Sequence, residues 1–259
     1  MITETQALNL ALKRSQYIGV ILYEGPSLLD GQPIVVIANK IIDKSKNTKT
    51  GAMVQTYILR SAIDPMAAIK TGADISICGD CRHRPDPVTK TRTCYVNLAK
   101  SVTAVYGAYQ RGRYARPNQD YDLALIPDLL SGLMVRIGTY GDPAAVPAAL
   151  WTQAIAYADG HNGYTHQWRK PEYQDLKSIC MASVDTVAEA YQAIKLGWRY
   201  FRVRQKSSPI DRAIESICPA AKEAGAKVQC TDCRACGGLA SQASRSKVIE
   251  AHGIQAARF

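Results

Sequence analysis

Residues 179–203 read ICMASVDTVAEAYQAIKLGWRYFRV, and this stretch decides the fold class. Ile179 to Val184 is a short apolar, β-prone run. Asp185 to Leu196 has helical spacing with Asp185 as its N-cap, Gly197 is a C-terminal stop, and Arg199 to Val203 is strand-like again. Strand, helix and strand at this spacing make a parallel βα unit. The pattern extends outward to further strand-like runs at Val135 to Thr139, Gly163 to Gln167 and Lys227 to Gln229. Helices are expected at Pro143 to Ala158, behind Asp142, and at Ile210 to Ala224, which ends at Gly225. Because no Gly-x-Gly-x-x-Gly follows the first strand, the series favours a TIM-like or partial (β/α) barrel over a dinucleotide-binding sheet.

Upstream of the βα series the pattern changes. Runs at Tyr17 to Tyr23, Pro33 to Ala38 and Met53 to Leu59 are separated by turn-rich segments, and they read as an antiparallel β-meander. The segment DKSKNTKTG, residues 43–51, is expected to project from it as a basic hairpin tip. Ala7 to Lys13 forms a short amphipathic segment before the meander. Pro65 to Lys70 reads as a short helix with Asp64 as its N-cap, and Tyr95 to Tyr109 as a longer one. Two units are therefore expected, a meander over residues 1–64 and a barrel-like domain with cysteine metal sites over residues 65–259.

The chain has 259 residues, of which 47% are hydrophobic and 21% charged, which excludes collagen-like, coiled-coil and low-complexity classes. Its apolar runs fall far short of the ~20 residues of a membrane-spanning helix. Acidic Glu4 precedes basic Lys13 and Arg14, the reverse of a secretory leader, so a cytoplasmic location, in a host cell, is expected. The 32 Lys and Arg exceed the 22 Asp and Glu, a net charge of +10 that favours polyanionic partners, with nucleic acid, and DNA in particular, first among them. A solvated basic surface explains the same charge. Lys44, Lys46, Lys49, Arg111, Arg113 and Arg116 are the candidate phosphate contacts, the last three from the segment RGRYAR.

Seven of the eight cysteines fall in two clusters. Cys230-x2-Cys233-x2-Cys236, with Cys218 upstream, offers four thiolates, enough for tetrahedral zinc or for an iron–sulfur cluster. Zinc is the favoured metal, and His252 is an alternative fourth ligand. Cys78-x2-Cys81 followed by Cys94 has the spacing of a second site with His83 nearby, or these thiols are simply buried and reduced. Cys180, between Ile179 and Met181, reads as core.

Asp142 in GTYGDP and Asp185 in MASVD each follow an expected parallel strand, where a barrel enzyme keeps a nucleophile or an acid and base. Each is also a good helix N-cap. GYTHQWR, residues 163–169, gathers aromatics, His166 and a basic group at one strand end. Tyr140, Tyr164 and Trp168 suit stacking on a base, Arg202 and Arg204 suit substrate contact, and His166 suits proton transfer near neutral pH. Packing of Tyr164 and Trp168 in the wall is the competing reading.

The segments KNTKTGAMVQTYILRS, GADISICGDCRHR, CYVN, YQRGRY, RIGTYGDPA, GYTHQW, MASVD, GWRYFRV and CTDCRACGG resemble a family of poorly characterised bacteriophage proteins over about residues 45–240. A parallel barrel with strand-end aspartates and a late cysteine cluster resembles, more distantly, the tRNA-guanine transglycosylase superfamily with its phage DNA-deazaguanine branch. That resemblance implies exchange of a guanine for a deazaguanine base, a glycosyl transfer. It implies Asp185 as nucleophile, Asp142 as the proton-handling partner, and a structural zinc on Cys230, Cys233 and Cys236. The superfamily has one residue between its first pair of cysteines where two separate Cys230 from Cys233, and Asp74 and Asp80 are alternative second carboxylates. A non-catalytic zinc-stabilised nucleic-acid-binding protein and an iron–sulfur protein with a redox or radical role are the rival readings.

Overall fold

The computed structural model describes residues 3–14, 16–86, 88–89, 91–252 and 256–259. Its nine strands are β1 (Gly19–Pro26), β2 (Pro33–Asn39), β3 (Val54–Arg60), β4 (Met134–Tyr140), β5 (Gly160–Thr165), β6 (Met181–Val184), β7 (Tyr200–Arg204), β8 (Glu215–Ile217) and β9 (Ser246–Glu250). The helices are α1 (Glu4–Lys13), α2 (Pro65–Thr71), α3 (Ile75–Cys78), α4 (Thr103–Gln110), α5 (Ile126–Leu129), α6 (Ala148–Ala154), α7 (Val187–Lys195) and α8 (Cys230–Cys233).

All nine strands join one sheet in the order β1-β2-β3-β4-β5-β6-β7-β9-β8. The β1, β2 and β3 pairings are antiparallel, as the meander expectation has it, and every pairing from β3 onward is parallel. Because β3 pairs directly with β4, the sheet runs without a break from the meander into the βα series. The core sits on this continuity. In β2 and β3 all but one residue each are buried, as expected for strands covered on both faces.

The expected barrel does not close. β1 and β8 are opposite edges of the sheet, and the free side of β1 is taken instead by the segment around Ala115, whose carbonyl accepts from Ile21 N at 2.9 Å. The meander thus fills the edge on which closure would have to occur. The far edge also differs from expectation. Residues 210–224 carry no long helix, because Pro209 and Pro219 bracket a segment whose Glu215, Ser216 and Ile217 pair with β9. No strand forms at Lys227 to Gln229, and β9 completes the sheet.

Local signals explain the helices. Asp64 Oδ1 accepts from Met66 N and Ala67 N, Pro65 opens α2, and Gly72 closes it at φ 80°. The cap of α7 is Thr186, one residue after the expected Asp185, and it forms a capping box with Glu189. Glu189 also accepts the amide of Asp185 at 2.8 Å, which leaves the Asp185 carboxylate free for other contacts. Among the described residues, no helix is long and apolar enough to cross a membrane.

The β8 edge is locked by a buried ion pair. Arg202 on β7 places Nε and Nη2 each 2.7 Å from the two carboxylate oxygens of Glu215, and both side chains are at most 1% exposed. Arg202→Ala, which strands Glu215, is expected to lower unfolding free energy by about 3–5 kcal/mol in urea titrations. The double replacement Arg202→Met with Glu215→Leu is expected to cost far less, because it removes both charges together.

A candidate active site lined by two cysteine clusters

Two loops carry the cysteines, and both are tied to the sheet. The first follows α3, where Asp142 N donates to Ile77 O and Gln167 Nε2 donates to Cys78 O at 3.3 Å. Arg84 clamps this loop through a two-pronged pair with Asp74, at 2.9 and 2.8 Å, and a bond to Gly79 O. The second follows β8. Cys218 N donates to Val248 O at 2.8 Å, Gly163 N to Cys236 O at 3.3 Å, and Cys230 N to Lys49 O at 3.0 Å. The lysine-rich segment 43–51 therefore folds back onto α8 where a projecting tip was expected. Arg234, in the left-handed conformation at φ 52°, turns the chain so that Cys236 comes back to the sheet, and it is held there by Asp159.

All seven clustered cysteines line one cavity of about 510 Å³. Cys81 and Cys94 act electrostatically on Cys78, and Cys218, Cys230 and Cys233 on Cys236, so the thiols form two neighbouring sets. The wall also includes Arg136, Tyr140, Asp142, Asn162, Tyr164, His166 and Phe201, from β4, β5 and β7 and the segments after them. Cys180 is fully buried and does not line the cavity, in keeping with a core residue. Among the described residues, no three His, Cys, Asp or Glu side chains stand close enough together to hold a metal ion. The thiols share a space without converging on one point.

Burial sets the chemistry of these thiols. It pushes Cys81 and Cys236 from the ordinary 9.0 up to about 12. Cys78, Cys94, Cys218 and Cys230 are also raised by burial, and neighbouring thiols add to the shift. Lys49 is lowered by burial against the pull of Cys218, Cys230 and Cys236. The Tyr164 hydroxyl bonds to Cys236 and tempers that thiol's rise.

Asp142 sits two residues after β4 and is 5% exposed. Its Oδ1 accepts from Ala144 N at 3.0 Å and Thr165 Oγ1 at 2.7 Å, and its Oδ2 from His166 N at 2.7 Å. It is thus the cap expected of it and also a wall residue. Burial raises its pKa, and His166 opposes the rise. Burial lowers His166, against the pull of Asp142 and Asp185. The His166 and His83 rings meet edge to face at 5.4 Å, and His83 Nε2 lies 3.2 Å from Asp185 Oδ1. The two aspartates therefore bracket a histidine pair, although Asp185 does not itself line the cavity.

Of the other expected contacts, Tyr140, Tyr164 and Lys49 line the cavity. Trp168 is fully buried, donates to Ser183 O at 3.0 Å and carries Arg169 over its ring at 4.0 Å. Arg202 and Arg204 are held away by Glu215 and by Glu223 and Glu250 respectively. Lys44 and Lys46 are exposed in the loop before β3, and Arg111 is exposed after α4. Arg113 and Arg116 lie beside β1, where Arg116 pairs with Glu24, and none of these five lines the cavity. Asp74 is engaged by Arg84, and Asp80 by Lys170 at 2.7 Å. His252 lines the cavity against Tyr95, with ring centroids 5.5 Å apart.

Sequence reasoning missed Arg136, Asn162, Tyr95, Lys100 and Lys247. The sequence does carry a signal for Arg136, a charged side chain between Val135 and Ile137 inside a parallel strand. Compared with protein-family models, with curated proteins and with solved structures, the chain matches none.

The raised thiols fix the sign of a pH effect in the metal-free, reduced protein. A group whose pKa is higher in the folded state stabilises the fold below its unfolded value and loses that contribution as pH rises through the folded one. For Cys81 and Cys236 the window runs from 9.0 to about 12. The urea midpoint of the metal-free protein is expected to fall across this window, and the fall should be smaller in Cys81→Ala and Cys236→Ala.

Proposed function

We propose that the protein is an iron–sulfur enzyme whose substrate occupies the cysteine-lined cavity. The observation that carries this is the division of seven thiols into a set of three and a set of four on the wall of one cavity. Cys218, Cys230, Cys233 and Cys236 would hold one cluster completely. Cys78, Cys81 and Cys94 would hold a second with one coordination position left for another ligand. Clusters at these places would supply one-electron transfer next to the substrate space.

The sequence spacing of the thiols supports iron–sulfur over zinc, since Cys230-x2-Cys233-x2-Cys236 has the two-residue intervals of the cysteine run that holds bacterial-type iron–sulfur clusters. Eight free cysteines suit a reducing compartment such as the cytoplasm.

Residues that share the wall with the thiols are suited to proton handling. Asp142, raised by burial, and His166, lowered by it, are adjacent on the wall, with His166 Nδ1 4.0 Å from Asp142 Oδ2. Base exchange by an aspartate pair has less support, since only Asp142 of the two lines the cavity and its oxygens already accept three hydrogen bonds.

Purification without oxygen, followed by elemental and acid-labile sulfide analysis, tests the reading. The expected product is brown, contains iron and sulfide, and bleaches on reduction with dithionite. Replacing Cys230 and Cys233 by Ser should remove part of the iron, and replacing Cys78 and Cys81 by Ser a different part. Stoichiometric zinc without iron would overturn the proposal in favour of a zinc-stabilised protein.

A further inference from the structure

Arg136 occupies the middle of β4 and lines the cavity. A guanidinium placed inside a sheet is normally matched by a carboxylate, as Arg202 is by Glu215 in this chain. Among the described residues, no ion pair includes Arg136. Its Nη2 donates to Tyr95 Oη at 3.1 Å, and its guanidinium lies 5.9 Å from the centroid of the Tyr164 ring. Lys49, Lys100 and Lys247 line the same cavity, and none of them pairs with a carboxylate among the described residues either. The carboxylate on the wall, Asp142, is engaged by Ala144, Thr165 and His166. The cavity wall therefore carries four cations that no carboxylate of the described residues matches.

Two further observations point to a ligand. The Tyr140 hydroxyl and Asn162 Oδ1 are buried on the cavity wall without a hydrogen-bond partner among the described residues, and the two residues are each 4% exposed. Buried polar groups of this kind are ordinarily satisfied, so each calls for a partner that the described residues do not supply. Aromatic surface stands beside the cations as well, from the Tyr95 and His252 pair and from Tyr164 packed at 5.0 Å against Phe201. The volume, about 510 Å³, is that of a small-molecule site and not of a groove for a polymer.

We propose that the cavity binds an anionic, aromatic small molecule of the nucleoside monophosphate class. Its phosphate is held by Arg136 and Lys49 as charge-assisted hydrogen bonds, and its ring is stacked on the aromatic wall. Tyr140 and Asn162 supply hydrogen bonds that read its polar edge. The assignment rests on the cavity being the working site, and it names the class of substrate that the site takes. It does not depend on which metal the thiols hold.

The test is titration of the anaerobically purified full chain, in its metal-loaded form, with AMP, GMP, CMP and UMP, with the matching nucleosides, and with inorganic phosphate. At least one monophosphate should bind, with its nucleoside and inorganic phosphate each about tenfold or more weaker. Arg136→Gln should weaken that monophosphate about tenfold or more while leaving iron content and thermal midpoint unchanged. Lys49→Gln is the second variant should Arg136→Gln fail to fold, and Arg111→Gln, outside the cavity, should bind as the wild type does. No monophosphate binding by the wild type would overturn the proposal, as would phosphate binding as tightly as the nucleotide. So would a variant that loses metal but keeps nucleotide affinity, because the cations would then serve the thiolates. Nucleotide binding by a protein found to contain zinc and no iron would sink the iron–sulfur reading and leave this one standing.

Discussion

The strand-borne groups on the cavity wall depend on the two-residue period of the strands. Successive side chains of a strand point to opposite faces, so Asn162 and Tyr164 share one face of β5, and Phe201 and Val203 one face of β7. Arg202 and Arg204 point the other way, into their carboxylate partners. A slip of one residue in β7 would bring two arginines into the cavity and strand Glu215 in the core. The buried pair of Arg202 with Glu215 therefore acts on the site without touching it, by specifying the register that orients the wall.

One departure from that period is built into β4. Gly138 adopts φ 67°, and a Cβ there would lie 2.8 Å from Gly141 O, so the position requires glycine. The bend it permits lets Gly138, Thr139, Tyr140, Gly141 and Asp142 all line the cavity in sequence, which a regular strand could not do. Glycine in the motif GTYGDP thus serves the site by turning the strand end toward the thiols. Asp142 then fixes the bend, because its carboxylate gathers Ala144, Thr165 and His166 while its amide reaches Ile77 in α3, next to Cys78.

Much of the fold was legible because it follows local rules. The meander, the Asp64 and Pro65 start of α2, and the strand, helix and strand of residues 179–203 need only periodicity and caps. Closure of the sheet was not legible, since it depends on whether β1 keeps a free edge, and that edge is taken by Ala115, almost a hundred residues away in sequence. Residues 210–224 misled because their apolar spacing suits a helix, whereas the partner that makes Glu215–Ile217 a strand is β9, a tertiary neighbour. In the site, cysteine spacing marked all seven wall thiols. That both groups face one space is a property of the sheet and not of either motif. Arg202 and Arg204 looked like substrate contacts because a strand-end arginine reads the same whether its partner is a ligand or a distant glutamate.

The two cysteine groups come from segments separated in sequence by most of the parallel strands, one at the end of α3 and beyond it, the other following β8. Neither segment has a substantial core of its own. Cys218 belongs to a small apolar cluster with Ala220, Ala221 and Ile249, whereas Cys78 packs at the margin of the main core. Free thiols pack as small apolar groups, so burying them in neutral form costs little. Ionised, as metal ligands must be, they carry charge into a wall where burial opposes it. Lys49 reaches them only because its own carbonyl accepts the amide of Cys230. The basic loop of the meander and the last cysteine cluster are consequently one structural unit, and Lys49 joins Lys100, Arg136 and Lys247, from widely separated parts of the sequence, on one wall.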